Sequence, residues 1–156
     1  MLELRRATLR DIPKMQNLVS KEIESGVILK RSDDEVATNI RSYLLGFSDG
    51  ELVGYGALHI HSPTLAEIRS LVTKENFRGK GVAKNIINNL LKEAQDLGVK
   101  RVLVLTYLPE VFMKLGFVEI PKETIPEHKI WADCIKCIHF PLCKETSLIY
   151  DLTQES

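Results

Sequence analysis

Residues 76–85 read NFRGKGVAKN, with Gly79, Gly81, Arg78, Lys80 and Lys84 within ten positions at the mouth of an apolar helical pattern. Free backbone N–H groups and the positive end of a helix dipole meet at such a turn, and glycine lets the chain close on a guest, so the chemistry suggested is phosphate binding. A magnesium-nucleotide loop would need Ser or Thr after Gly79-Lys80, and Gly81 stands there. A dinucleotide fingerprint would need a third glycine where Lys84 lies and an acidic residue ending the next strand, which VKRVLVLT lacks. A tight turn with solvated lysines around it is the plain alternative. A second group, Cys134, Cys137, His139 and Cys143 in CIKCIHFPLC, is a permissible zinc set. Four ligands in ten residues is very tight, and free buried thiols are the simpler reading.

The elements that must hold these residues follow from periodicity. LRRA predicts a first short strand, and Ile12, Met15, Leu18, Val19 and Ile23 mark a helix with Asp11 as N-cap and Pro13 in its first turn. Ser32 and Glu35 form a capping-box signature opening a short helix through about Ile40. Two apolar runs flank Asp49-Gly50, a strong hairpin signal. LAEIRSLVT predicts another strand, the glycine turn follows, and Val82, Ile86, Ile87, Leu90, Leu91, Ala94 and Leu97 define a helix stopped by Gly98. VKRVLVLT then reads as a buried strand, so strand, turn, helix and strand make a βαβ unit with a parallel pair. PEVFMKLGF predicts a short helix ending at Gly116, and TSLIYDL a last strand. The whole is α+β, a mixed sheet with helices.

Composition narrows the setting. A chain of 156 residues suits one domain, 1–156. Lys plus Arg equal Asp plus Glu at 21 each, so no global basic field gathers nucleic acid or an anionic membrane, and phosphate recognition must be local. The charged start and the lack of any long apolar run predict a cytoplasmic protein, as does the odd count of three cysteines.

Arg78-Gly79-Lys80-Gly81-Val82-Ala83 resembles the R/Q-x-x-G-x-G/A signature of the GNAT acetyltransferase superfamily, and the order of elements resembles that family along nearly the whole chain. The resemblance implies a partly antiparallel central sheet with helices on both faces and a splayed parallel strand pair. It implies acetyl-CoA as co-substrate, its pyrophosphate on the N–H groups of residues 79–83 and its pantetheine running between the strands at 67–73 and 99–106. A backbone N–H near Leu71, Val72 and Thr73 would polarise the thioester carbonyl. The local cluster Lys74, Arg78, Lys80 and Lys84 fits an anionic guest. The attacking amine must lose a proton, since at a pKa of about 8 only roughly a tenth is neutral at pH 7. Glu67 stands where family members with a strand glutamate carry the base, four residues ahead of the thioester contact; period-two alternation puts it on the face of Arg69 and Leu71. A glutamate at a solvated strand end is the alternative. The place where many members carry a tyrosine as acid is Phe112 in FMKLGF, on the cofactor side, with Tyr107 a turn earlier; proton delivery to the thiolate then falls to water.

ILKRSDDEV, LAEIRSLV, VLVLT and FMKLGF with IPEHKIWADC are further similar to the acetyltransferase domain of N-acetylglutamate synthases, especially short stand-alone ones. That resemblance implies a small-molecule amine as partner, L-glutamate, within arginine biosynthesis. Arg31 would hold a carboxylate and Lys129 the second; a surface cation is the alternative at each. The short synthases share the cysteine pattern without a metal in the chemistry, so no metal is required. A homodimer is compatible. The kinase domain through which arginine regulates long synthases has no counterpart in these 156 residues. His59 and His61 fall at a strand end, and no motif gives any of the four histidines a catalytic part. Two other readings stay open: a GNAT enzyme for another small-molecule or protein amine, and an acyl-CoA-binding sensor without catalysis.

Overall fold

The computed structural model describes residues 2–24, 31–106, 108–121 and 146–154. They fall into two compact units, Met1–His59 with Ile68–Glu93 and Ile60–Glu67 with Ala94–Ser156. One strand, β4 (Leu65–Thr73), runs through both, and the hydrogen-bonded strand order is β1-β2-β3-β4-β5-β7-β6.

In the first unit, β1 (Leu2–Arg6) pairs antiparallel with β2 (Tyr43–Ser48), and β2 with β3 (Glu51–Ile60). The turn of that hairpin is Asp49-Gly50, with φ of 50° and 81°, a pair of left-handed residues whose twist matches that of the strands they join. Between β1 and β2 come α1 (Ile12–Glu24) and α2 (Asp33–Thr38). Met15 and Val19 of α1 and Val36 of α2 are buried in one cluster with Tyr43, Leu45, Phe47, Tyr55, Ala57 and Val72. Ser32 caps α2 as its sequence predicts: the Ser32 Oγ accepts from Glu35 N at 3.2 Å and the Glu35 carboxylate accepts from Ser32 N at 3.3 Å.

Tyr55 and Ala57 of β3 face that cluster, so alternation turns Gly54 and Gly56 to the opposite face, where α3 (Val82–Leu97) lies. A Cβ on Gly54 would stand 2.7 Å from Val82 Cγ1 and 2.9 Å from the Val72 carbonyl oxygen; on Gly56 it would stand 3.1 Å from Ile86 Cγ2. Glycine here brings the first turns of α3 down onto the strand. The family resemblance implies helices on both faces, and this unit has them.

Asp11 does not cap α1. It ends a short 3-10 turn, Leu9–Asp11, and its buried carboxylate reaches back to accept from Thr8 N at 2.8 Å and from both terminal nitrogens of Arg5 at 2.9 Å. The Arg5 hydrogen bonds hold this carboxyl well below the usual carboxylate range. A folded pKa below the unfolded one of about 3.9 stabilises fully above that value and is lost as pH falls through the folded one. Asp11→Asn should therefore lower the unfolding free energy at pH 7 by about 1–3 kcal/mol. Its deficit should shrink in denaturant titrations below about pH 4.

In the second unit, Leu65, Ala66 and Glu67 of β4 pair in parallel with Arg101, Val102 and Leu103 of β5 (Arg101–Thr106), so the expected parallel pair is present. β5 starts two residues later than expected, because Val99 N closes the helix exit onto Ala94 O at 3.0 Å and Lys100 N is taken by Thr64 O at 3.1 Å. β7 (Thr146–Asp151) pairs antiparallel with β5, and β6 (Val118–Glu119), a strand that no apolar run signals, pairs with β7. The short helix α4 (Pro109–Met113) precedes β6, and Gly116 takes φ of 107°.

Candidate active site

The glycine turn begins after a 3-10 turn, Glu75–Phe77, and ends in α3. Gly79 and Gly81 have φ of 80° and 86°, which other residues adopt only at a cost. A Cβ at Gly79 would meet nothing within 4 Å, and one at Gly81 only Asn85 Nδ2 at 3.7 Å. These glycines are therefore required by their left-handed backbone and not by packing, which suits a tight turn and a ligand cradle alike. Their conformation leads into the start of a 16-residue helix, whose first N–H groups have no intrahelical acceptor. Asn85 fixes the turn, its N at 3.0 Å and its Nδ2 at 2.8 Å both donating to Gly81 O. Lys80 N donates to Phe77 O at 3.3 Å, and the other N–H groups of the turn make a cradle that fits a phosphate. Arg78, Lys80 and Lys84 are exposed around it, with the Lys80 ammonium 5.3 Å from the centre of the Phe77 ring. Lys74 departs from the expected cluster, because its ammonium pairs with Glu51. Val82 is buried and Ala83 half-buried on the helix that leaves the turn.

Upstream on β4, Val72 is a core residue, Leu71 and Thr73 are half-buried, and Lys74 N donates to Val53 O at 2.8 Å. Ser70 has φ of 58°, a left-handed serine inside a strand. A strand loses its two-residue phase at such a point, so alternation alone does not relate the Glu67 and Leu71 faces. The Ser70 hydroxyl accepts from Arg31 Nε at 3.3 Å. Only 13% of the Arg31 side chain is exposed, so it is not a loose surface cation. Its backbone carbonyl is held by Gln16 Nε2 at 3.0 Å, and Glu35 Oε2 lies 3.8 Å from its Nη1. Burial pushes the Tyr55 phenol up, Tyr43 adds to that, and the charge of Arg31 works against it, so the phenol is neutral at physiological pH.

Glu67, in the second unit, is not at a solvated strand end: 3% of its side chain is exposed. Its Oε1 lies 2.9 Å from Nε2 of His61, itself 4% exposed. Sequence reasoning gave His61 no part. The pairing arises because residues 61–65 fold back, with His61 N donating to Leu65 O at 2.9 Å, and nothing in residue spacing announces that turn beyond Ser62-Pro63. Phe112 is buried, packed edge-on against Phe117 with ring centres 5.2 Å apart, and Phe117 continues to Tyr150 at 5.3 Å. Tyr107, Lys129, Cys134, Cys137, His139 and Cys143 lie outside the described residues. Among the described residues no group of three or more His, Cys, Asp or Glu could hold a metal, and no helix is long and apolar enough to cross a membrane.

Residues 8–117 match the Acetyltransferase (GNAT) family. An uncharacterized N-acetyltransferase of Chlorobaculum tepidum is 32% identical over 149 residues, 96% of each chain. An amino-acid acetyltransferase of Mycobacterium tuberculosis is 32% identical over 75% of this chain and 68% of its own. The fold is also that of the N-acetylglutamate synthase from Neisseria gonorrhoeae, solved with coenzyme A and N-acetyl-glutamate. There the TM-score is 0.85 at 22% identity, over 97% of this chain and 35% of that one. The chain belongs to the GNAT acetyltransferase family. It is an acetyl-CoA-dependent N-acetyltransferase, with the mixed seven-stranded sheet of that class.

Proposed function

We propose that the chain transfers acetyl from acetyl-CoA to the α-amine of L-glutamate, the first step of an arginine-forming route. The observation that carries this reading is Arg31, a mostly buried guanidinium seated on the left-handed Ser70 of β4, in the same strand as Glu67 and Leu71–Thr73. A buried cation with ordered neighbours suits a substrate carboxylate, because its fork donates two parallel hydrogen bonds. The amino-acid acetyltransferase name of a 32% identical relative supports the substrate class.

In this reading the pyrophosphate rests on the N–H groups of residues 79–83 and a backbone N–H of Leu71–Thr73 polarises the thioester carbonyl. Glu67 takes the proton of the ammonium, and the freed nitrogen lone pair forms the N–C bond. The C–S bond breaks, its electron pair goes to sulfur, the second proton leaves the acylated nitrogen to water, and water delivers a proton to the thiolate. Phe112, buried among aromatic rings, supplies packing beside the cofactor and no proton. Lys129 is the candidate partner of the second carboxylate.

Arg31→Ala should raise KM for glutamate about ten- to a hundred-fold, the loss of one charge-assisted contact of about 1.5–3 kcal/mol. KM for acetyl-CoA should change little. Steady-state thiol release checks both; a silent Arg31→Ala, with an uncharged amine or a peptide N-terminus used as well as glutamate, would favour the broader amine acetyltransferase.

A further inference from the structure

In the second unit the side chains of His61 and Glu67 are both enclosed, and the hydrogen bond between them at 2.9 Å is well formed. With the carboxylate ionised it can only accept, and the His61 ring then donates from Nε2. The backbone on which His61 sits is fastened from several sides. His61 N and Ser62 N both donate to Leu65 O, at 2.9 and 3.1 Å. The Ser62 hydroxyl accepts from Thr64 N at 3.2 Å and from Leu65 N at 3.1 Å. Thr64 O in turn accepts from Lys100 N at 3.1 Å and Arg101 N at 3.0 Å, which ties the turn to the start of β5. On the other side of the pair, Glu67 is fixed by its ladder place opposite Leu103. A turn this closely held, ending in a buried imidazole aimed at a buried carboxylate, has the form of a support for that carboxylate.

We propose that His61 is the positioning residue for Glu67: its Nε2–H holds one carboxylate oxygen, fixing the rotamer in which the carboxylate meets the incoming amine. The inference rests on the assignment of Glu67 as the base. The hydrogen bond restricts the last torsion of the Glu67 side chain, a torsion that is broad in glutamate, and a misplacement of about 1 Å can cost a hundredfold in rate.

Two substitutions separate support from mere packing. His61→Gln places an amide N–H about where Nε2 stands, whereas His61→Asn is shorter and reaches only about as far as Nδ1. With the amine that gives the fastest thiol release, His61→Asn should lower kcat about ten- to a hundred-fold. KM for acetyl-CoA should stay within about twofold. His61→Gln should restore kcat to within a few-fold of the parent. In the Glu67→Gln background, His61→Asn should cost almost nothing further, because partners acting as a unit are not additive. Equal kcat for the Asn and Gln variants, or a full His61→Asn loss in the Glu67→Gln background, overturns the proposal. If Glu67→Gln cuts kcat while His61→Asn is silent, this inference alone falls. If Glu67→Gln itself leaves kcat unchanged, the base assignment falls and takes the inference with it.

Discussion

Gly81→Asp should abolish acetyl-CoA binding while leaving the protein folded. The two halves of that expectation have separate causes. Asp and Asn tolerate the left-handed region better than other side chains, and a Cβ at Gly81 has only Asn85 Nδ2 as a neighbour, at 3.7 Å, so the fold has room for the substitution. A carboxylate at the start of α3 also opposes the helix dipole favourably, by about 0.3–1 kcal/mol. Thermal stability should thus fall only slightly, the dipole offsetting part of the about 1–2 kcal/mol that a side chain costs at a left-handed position. Binding should fail because the new charge occupies the ground in which the pyrophosphate is to sit, and two like charges at about 4 Å repel by several kcal/mol where solvent is partly excluded. Gly81→Asn, nearly the same shape without the charge, should weaken binding far less. Calorimetry with acetyl-CoA on the three proteins checks this; equal affinity for the Asp and Asn variants would remove the turn from the cofactor site.

Glu67→Gln should lower kcat by about a hundredfold or more, the usual range for a general base, with little change in KM for acetyl-CoA. Glutamine keeps the shape of the side chain and an oxygen that can accept from His61, so the loss isolates the proton-accepting role. The pH profile carries the sign. A base works only when ionised, so the parent rate should carry an acidic limb, and in the variant that limb should flatten to the dependence of the amine alone. An unchanged limb would leave Glu67 as a buried structural partner of His61.

How far the chain announces its own structure differs from place to place. The Asp49-Gly50 hairpin and the Ser32–Glu35 cap are local events, each decided by residues within four positions, and each is found where its chemistry predicts; the six-residue RGKGVA stretch is likewise a turn that opens a helix. The parallel pairing of β4 with β5 follows from the helix between them. Features that depend on chain returning from a distance were not legible. β6 is two exposed residues whose only strand-like property is their pairing to β7. Asp11 has the composition of a helix cap, but Arg5, six residues back on β1, takes its carboxylate instead. The left-handed Ser70 has no glycine to signal it, and its hydroxyl meets an arginine 39 positions earlier. Arg31 was legible as a cation ahead of the hairpin; that it is mostly buried was not. Glu67 was legible as a strand carboxylate, whereas its enclosure with His61 depends on how tightly residues 61–65 fold back.

The most direct test of the account is thiol release from acetyl-CoA with a panel of glutamate, aspartate, ornithine, lysine and short peptides as acceptors. The account predicts that glutamate gives the highest kcat/KM, with N-acetylglutamate as product. Release that favours a peptide or a diamine over glutamate, or that never rises above the rate without acceptor, would contradict it.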